Sequence, residues 1–415
     1  MTTINVSDYV RQRITATLFT GQSLFSAAMI ASFTLMPIIA ANLSGNDATA
    51  GFPSTLTLLG RAVAAYPMGL LMGKAGRRMG LSTGYGLAIL GAIVSVIAIM
   101  VGSFWGFCAG AALMGMGRGG IDQGRYVAAE VNVAEKRAKV IGLIVFAGTI
   151  GAVLGPILVP ASQKFVIRLG LDTNTGPYVV AAVMLTMALI ITWLFLRPDP
   201  KQIATSVEIE ETDSAQSPAR PLAQIFRQPP IILAIASMII GQLVMALIMV
   251  ITPLYMDHNN HSSNSISFVI MAHTLGMFGL SGVTGWLIDR YSRVPLIIAG
   301  AGILIAASIM TPRSTEVLPL AIALFLLGLG WNFCFIAGSS LLTDSLAANE
   351  RPRTQGASEV MVSLAAGAGG VATGLVFARG TMTAVSAVAL AFSLALIGIL
   401  LLYSVSKQKV QLTPG

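Results

Sequence analysis

The chain has 415 residues, 55% of them apolar and only 10% charged, with a mean hydropathy of +0.80, whereas a soluble domain carries roughly 25% charged residues. This excludes a water-soluble globular protein and leaves a polytopic helical membrane protein, because about 20 apolar residues cross a bilayer and the length admits about twelve such crossings with their loops. The net charge of +8 does not signal a nucleic-acid partner, since the basic residues are spread through short polar breaks and never gather into a dense patch with interleaved aromatics.

In chain order, Arg11 and Arg13 precede a first apolar run at 15–42, which has no short leader ending in a small-residue cleavage site and is expected to be retained. Further runs follow at 50–73, 79–101, 104–132, 139–167 and 178–196. The composition then changes abruptly, because Glu208, Glu210, Glu211 and Asp213 stand among Ser, Thr, Pro and Gln, as expected of a solvated tether. Six more runs lie at 227–256, 266–288, 294–311, 317–345, 355–378 and 382–405. The predicted fold class is therefore all-α and membrane-spanning, with a six-helix bundle at 1–198, a linker at 199–226 and a second six-helix bundle at 227–415.

Positive charge orients the chain. With both termini cytoplasmic, 18 of the 25 Lys and Arg residues fall in inside loops and only Lys164, Arg168, Arg313 and Arg379 outside, while Arg61, Arg118 and Arg125 lie within spans. Both cysteines, Cys108 and Cys334, sit in apolar runs and are expected to be small core residues. Asp257, His258 and His261 have no further ligand nearby and are expected in a solvated loop, so no metal or other cofactor is predicted. No G-x4-G-K-[ST] phosphate loop or HExxH pair occurs, so neither ATP drive nor metallopeptidase chemistry is indicated.

The two halves repeat one another. Gly69 to Arg78 after the second run matches Gly285 to Arg293 after the eighth at an offset of 216. Gly115 and Gly117 match Gly328 and Gly330 at 213, and Gly142 matches Gly356 at 214. Such a constant offset points to a duplicated six-helix unit, for which a substrate site at mid-membrane depth between the halves is expected.

Charged and polar side chains inside apolar runs mark where a pathway could lie, since a charge at the bilayer centre costs on the order of 3 kcal/mol. Arg118, Asp122 and Arg125 are spaced by four and three residues, which places two cations and one carboxylate on one helical face. Arg61 adds a further cation in the second run. His273, with an ordinary pKa near 6.5, and Glu359 are the proton candidates of the second half, each with a bland alternative as a hydrogen-bonded core or helix-end residue. Gln22, Gln242, Trp331 and Asn332 are the uncharged candidates for substrate contact.

At these residues the sequence resembles the major facilitator superfamily along essentially its whole length. The loop pattern G-x-L-a-D-r-x-G-r-k is carried by Gly285, Asp289, Arg290 and Arg293, and in the first half by Gly69, Lys74, Gly76, Arg77 and Arg78, with Gly73 where the pattern has Asp. The pattern g-x8-G-x3-G-P of the fifth span is met by Gly142, Gly151, Gly155 and Pro156. The resemblance implies a secondary transporter working by alternating access, not an enzyme. The fifth-span pattern implies export of a small organic compound in exchange for protons. The excess of positive charge in the first half motivates an organic-anion importer as the alternative, and a non-transporting receptor is the rival of another class. The partners expected are the substrate, protons and the lipid of the cytoplasmic membrane, with the chain acting as a monomer.

Overall fold

The computed structural model describes residues 8–132, 134–203, 220–346 and 350–412, and among them every long regular element is a helix. The first unit holds α1 (Asp8–Ser44), α2 (Phe52–Ala75), α3 (Arg77–Met100), α4 (Phe104–Ile121), α5 (Gly124–Glu130), α6 (Ala134–Arg168) and α7 (Gly176–Phe195). The second holds the short α8 (Leu222–Ile225), then α9 (Pro229–His258), α10 (Ser263–Phe278), α11 (Ser281–Tyr291), α12 (Arg293–Met310), α13 (Val317–Asp344) and α14 (Arg351–Leu412). The chain divides into compact units of residues 1–46 with 52–214, and 47–51 with 215–415.

All twelve predicted runs are helical, and among the described residues ten helical stretches are long and apolar enough to cross a membrane. The stretch 360–404 accounts for two predicted runs, because α14 is broken at Gly380 and Thr381, where Thr381 takes φ of 59°. The fourth run does not stand among the ten. It is split into α4 and α5 at Asp122–Gln123 and carries Arg118, Asp122 and Arg125. The eighth run is likewise split, between α10 and α11.

Within the first unit α4 packs on α2 and α3, and α1 on α6 and α7. Phe107 and Tyr178 meet edge-on at 5.4 Å in its interior, where the Tyr178 hydroxyl donates to the Ser32 carbonyl at 3.2 Å. Within the second, α13 packs on α9, α10 and α12, and α9 on α14. Helix starts are locally encoded. Ser103 and Ser262 accept from the backbone N–H groups of Gly106 and Ser265, closing the first turns of α4 and α10.

Candidate functional site

The charged face of the first unit forms around Asp122. Arg61 Nε lies 3.0 Å and Arg118 Nε 3.4 Å from the same carboxylate oxygen, Asp122 Oδ2. The Arg118 contact follows from i,i+4 spacing on α4, whereas Arg61 arrives from the middle of α2, which packs against α4. Two guanidiniums thus share one carboxylate, and all three side chains keep 20 to 32% of their surface exposed. At that depth such exposure needs polar surroundings, not hydrocarbon.

Arg125 is not the second cation on this carboxylate. Because α4 ends at Ile121, the helical register does not run through to α5. Arg125 instead donates from Nη2 to the Tyr126 hydroxyl at 3.0 Å, with its guanidinium 4.8 Å from that ring's centroid. At the break, Gln123 Nε2 donates to the carbonyls of Ala65 and Gly119, tying α4 back to α2. Gln22 is half-buried on α1.

In the second unit the polar candidates separate by role. Asn332 is fully buried and its amide is engaged on both sides. Nδ2 donates to the Met277 carbonyl at 2.6 Å and to Ser281 Oγ at 3.0 Å, and Oδ1 accepts from Thr284 Oγ1. It thus spans the break between α10 and α11, where the helical ladder leaves carbonyls open. His273 is buried, with Nδ1 at 2.9 Å from the Leu324 carbonyl and Nε2 without a hydrogen-bond partner among the described residues. The space beside Gly276 is filled by the α13 backbone, since a Cβ there would meet the Phe325 carbonyl at 2.3 Å. Trp331 Nε1 donates to Gln242 Oε1 at 2.8 Å. Glu359 lies on α14 and Asp289 on α11, and the side chains of both fall outside the described residues.

The loop motifs form ion pairs for which the sequence reading supplies only one partner. Arg77 binds Glu130 through Nε and Nη2, both at 2.9 Å, and Arg293 Nη2 lies 2.7 Å from Asp344 Oδ2. The two pairs occupy matching places in the repeat. Glu130 and Asp344 could have been found from the sequence, because each stands at the end of its span, seven residues ahead of Arg137 and Arg351 respectively. Arg78 lies over the Trp193 ring at 4.7 Å and Arg290 over Trp286 at 5.5 Å. Lys74 is exposed, while Gly69 lies near Gln123 and a Cβ on Gly285 would meet nothing within 4 Å among the described residues. Gly76 takes φ of 98°, and a Cβ there would come within 2.5 Å of Asp199.

The glycine face of α6 is a packing seam on α1. A Cβ on Gly151 would lie 2.3 Å from Ser26 Cβ, and one on Gly155 2.8 Å from Ile30 Cβ. Pro156 follows within the same helix, whereas the surroundings of Gly142 fall outside the described residues.

The sequence matches the family model of the Major Facilitator Superfamily over residues 18–261 and 233–414. It is 34% identical over 377 residues to the MFS-type transporter YdeG of Bacillus subtilis (strain 168), covering 89% of this chain and 87% of that one. It is 29% identical over 328 residues to the riboflavin transporter RfnT of Brucella anthropi, covering 78% and 79%. Among solved structures, the fold resembles a bacterial homologue of the human lysosomal transporter Spinster in its inward-facing, occupied conformation. The TM-score is 0.74 at 15% identity, over 99% of this chain and 100% of that one. It also resembles a D-xylose–proton symporter, with TM-score 0.72 at 14% identity over 93% and 97%. With matches over nearly its full length, the chain belongs to the major facilitator superfamily, as an integral membrane protein that works as a secondary transporter and not as an enzyme.

Proposed function

We propose that this transporter exports a small organic compound across the cytoplasmic membrane in exchange for protons, with both termini on the cytoplasmic side, and that Asp122 and its two arginines receive an anionic or electron-rich group of that compound. The observation carrying the site is the shared Asp122 oxygen, with Arg61 at 3.0 Å and Arg118 at 3.4 Å, in the interior of a membrane-spanning bundle. A carboxylate so placed holds both guanidiniums in a fixed geometry, and their remaining N–H donors suit an anionic or electron-rich group. Export is supported by the Gly151, Gly155 and Pro156 run of α6. The excess of basic over acidic residues in the spans of the first half, Arg61, Arg118 and Arg125 against Asp122, also favours a second reading, uptake of an organic anion together with protons.

Flux of labelled organic acids into proteoliposomes under imposed pH gradients separates these readings. Exchange predicts accumulation when the lumen is acidic, because outgoing protons drive uptake, and symport predicts accumulation when the exterior is acidic. Asp122→Asn keeps the shape of the site and is expected to reduce gradient-driven flux while sparing the fold. Flux indifferent to either gradient, or a fully active Asp122→Asn protein, would remove proton coupling or that carboxylate from the mechanism.

A further inference from the structure

The duplication sets different chemistry at matching positions of the two units. The offset of 213 that relates Gly115 to Gly328 and Gly117 to Gly330 aligns Arg118 with Trp331 and Asp122 with Phe335. Where α4 carries an ion pair, α13 carries a ring stack. The Trp331 and Phe335 centroids lie 4.8 Å apart with the planes inclined by 17°, and Phe278 meets Trp331 edge-on at 6.0 Å.

The flanks of α13 are allotted differently. Phe333 and Cys334 face α12, where a Cβ on Gly300 would touch both, and Asn332 faces α10 and α11. Trp331 reaches toward α9 and Gln242. Because an indole N–H can only donate, its bond to Gln242 settles which end of the amide is oxygen. The Gln242 NH2 therefore points away from the indole with N–H donors that no described residue takes up in the bonds of this cluster. Gln242 is half-buried and fourteenth in the 30-residue α9, at mid-membrane depth. A part-exposed amide there is costly against hydrocarbon and favourable against a polar ligand or water.

We propose that the second unit binds the planar aromatic part of the transported compound at the Trp331–Phe335 stack, with the Gln242 amide donating to a carbonyl, ring nitrogen or carboxylate on its rim. This rests on the transport reading above and narrows its substrate to aromatic, hydrogen-bond-accepting compounds. Offset stacking favours a flat π-system over a saturated body of the same size, and the amide donor adds a preference for an acceptor on its rim, whereas a pair of rings filling space alone would make neither distinction.

Calorimetric titration of the full-length protein in lipid nanodiscs tests it with two acids of equal charge, 2-naphthoate and decahydro-2-naphthoate. Tighter binding of the aromatic acid is expected. Phe335→Leu should weaken 2-naphthoate by about tenfold and leave the saturated acid unchanged, Gln242→Leu should weaken both acids alike because both carry the carboxylate it donates to, and Phe335→Tyr, which keeps the ring, should restore the preference. Melting temperatures of the same variants show that the fold persists. Arg118→Ala, titrated with the same acids, tests the charged triad of the first unit by itself. Equal affinity for the two acids, no binding of 2-naphthoate at millimolar concentration, or an equal loss for both acids in Phe335→Leu would overturn the proposal. If Arg118→Ala changes neither acid while Phe335→Leu remains selective, the anion role of the charged triad fails and the aromatic site stands.

Discussion

Ser292 carries a strained backbone at the turn from α11 to α12, with φ of 76° and ψ of 175°. Gly76 holds the same place between α2 and α3, 216 positions earlier, with φ of 98° and ψ of 161°. This region suits glycine and costs a side-chain-bearing residue about 1–3 kcal/mol. Ser292→Gly is therefore expected to stabilise the second unit by about 1 kcal/mol after the added freedom of the unfolded chain is subtracted, raising the melting temperature in detergent. The reverse change, Gly76→Ser, should destabilise, because its Cβ would also press on Asp199, which accepts from the backbone N–H groups of Arg77 and Arg78. A fall in melting temperature for Ser292→Gly would show that the serine side chain repays its strain. The Gly76–Ser292 equivalence is legible in the sequence because the duplication preserves spacing. The role of Asp199 is not, since nothing local marks a cap acting from more than 120 residues away. Asn332 shows the same limit. A polar residue in an apolar run reads equally as a ligand contact or as the partner of a broken helix, and only the position of Met277 decides between them.

At the scale of elements, spacing alone places Gly148, Gly151 and Gly155 on one bare face of α6, but it does not identify the surface that face meets. That surface is α1, inside the same unit, so the seam joins helices that pack as one body. Gly151→Leu is accordingly expected to cost stability of the first unit, in the range of about 1–3 kcal/mol or more for overpacking, read as a lowered melting temperature and poorer recovery of monodisperse protein. Gly151→Ala should show the same effect in smaller degree, because the first added carbon already meets Ser26. A Gly151→Leu protein that melts like the wild type yet fails to transport would place the seam in the conformational cycle instead. The break in the eighth run escapes a reading by hydropathy, because the segment stays largely apolar through Gly279 and Leu280 and has no proline there, whereas the break in the fourth run falls on the polar pair Asp122 and Gln123. Both are stabilised by side-chain bonds between helices, Gln123 at its own break to Ala65 on α2 and Asn332 on α13 to Met277, and such tertiary bonds leave no periodic trace.

At the scale of the whole molecule, the acidic segment between the halves reads in the sequence as a plain tether, and its two ends are anchored to different units. At its start Asp199 Oδ1 and Oδ2 accept from the N–H groups of Arg77 and Arg78 at 3.0 and 3.1 Å, and Ile203 is buried. At its other end Arg220 makes two 2.7 Å hydrogen bonds to Glu350, whose side chain is only 2% exposed. Ile225 then enters an apolar cluster with Ile231, Leu342 and Leu346. Hydrogen bonding to that carboxylate raises the Arg220 guanidinium above its usual range. On the arginine side the anchor therefore persists up to the ordinary arginine pKa and is lost as pH rises beyond it. We propose that the division into two bundles rests on these anchors, each unit holding its own end of the linker. A protease site introduced within 204–219 and cut after purification should then leave two membrane-inserted fragments, each with its helical content and unfolding transition preserved. Glu350→Gln, which removes the buried charge opposite Arg220, should lower the transition of the second fragment and leave that of the first unchanged. Loss of helicity in either fragment on cleavage, or an equal shift of both transitions in Glu350→Gln, would show that the covalent tether and not the anchors holds the units in their folded form.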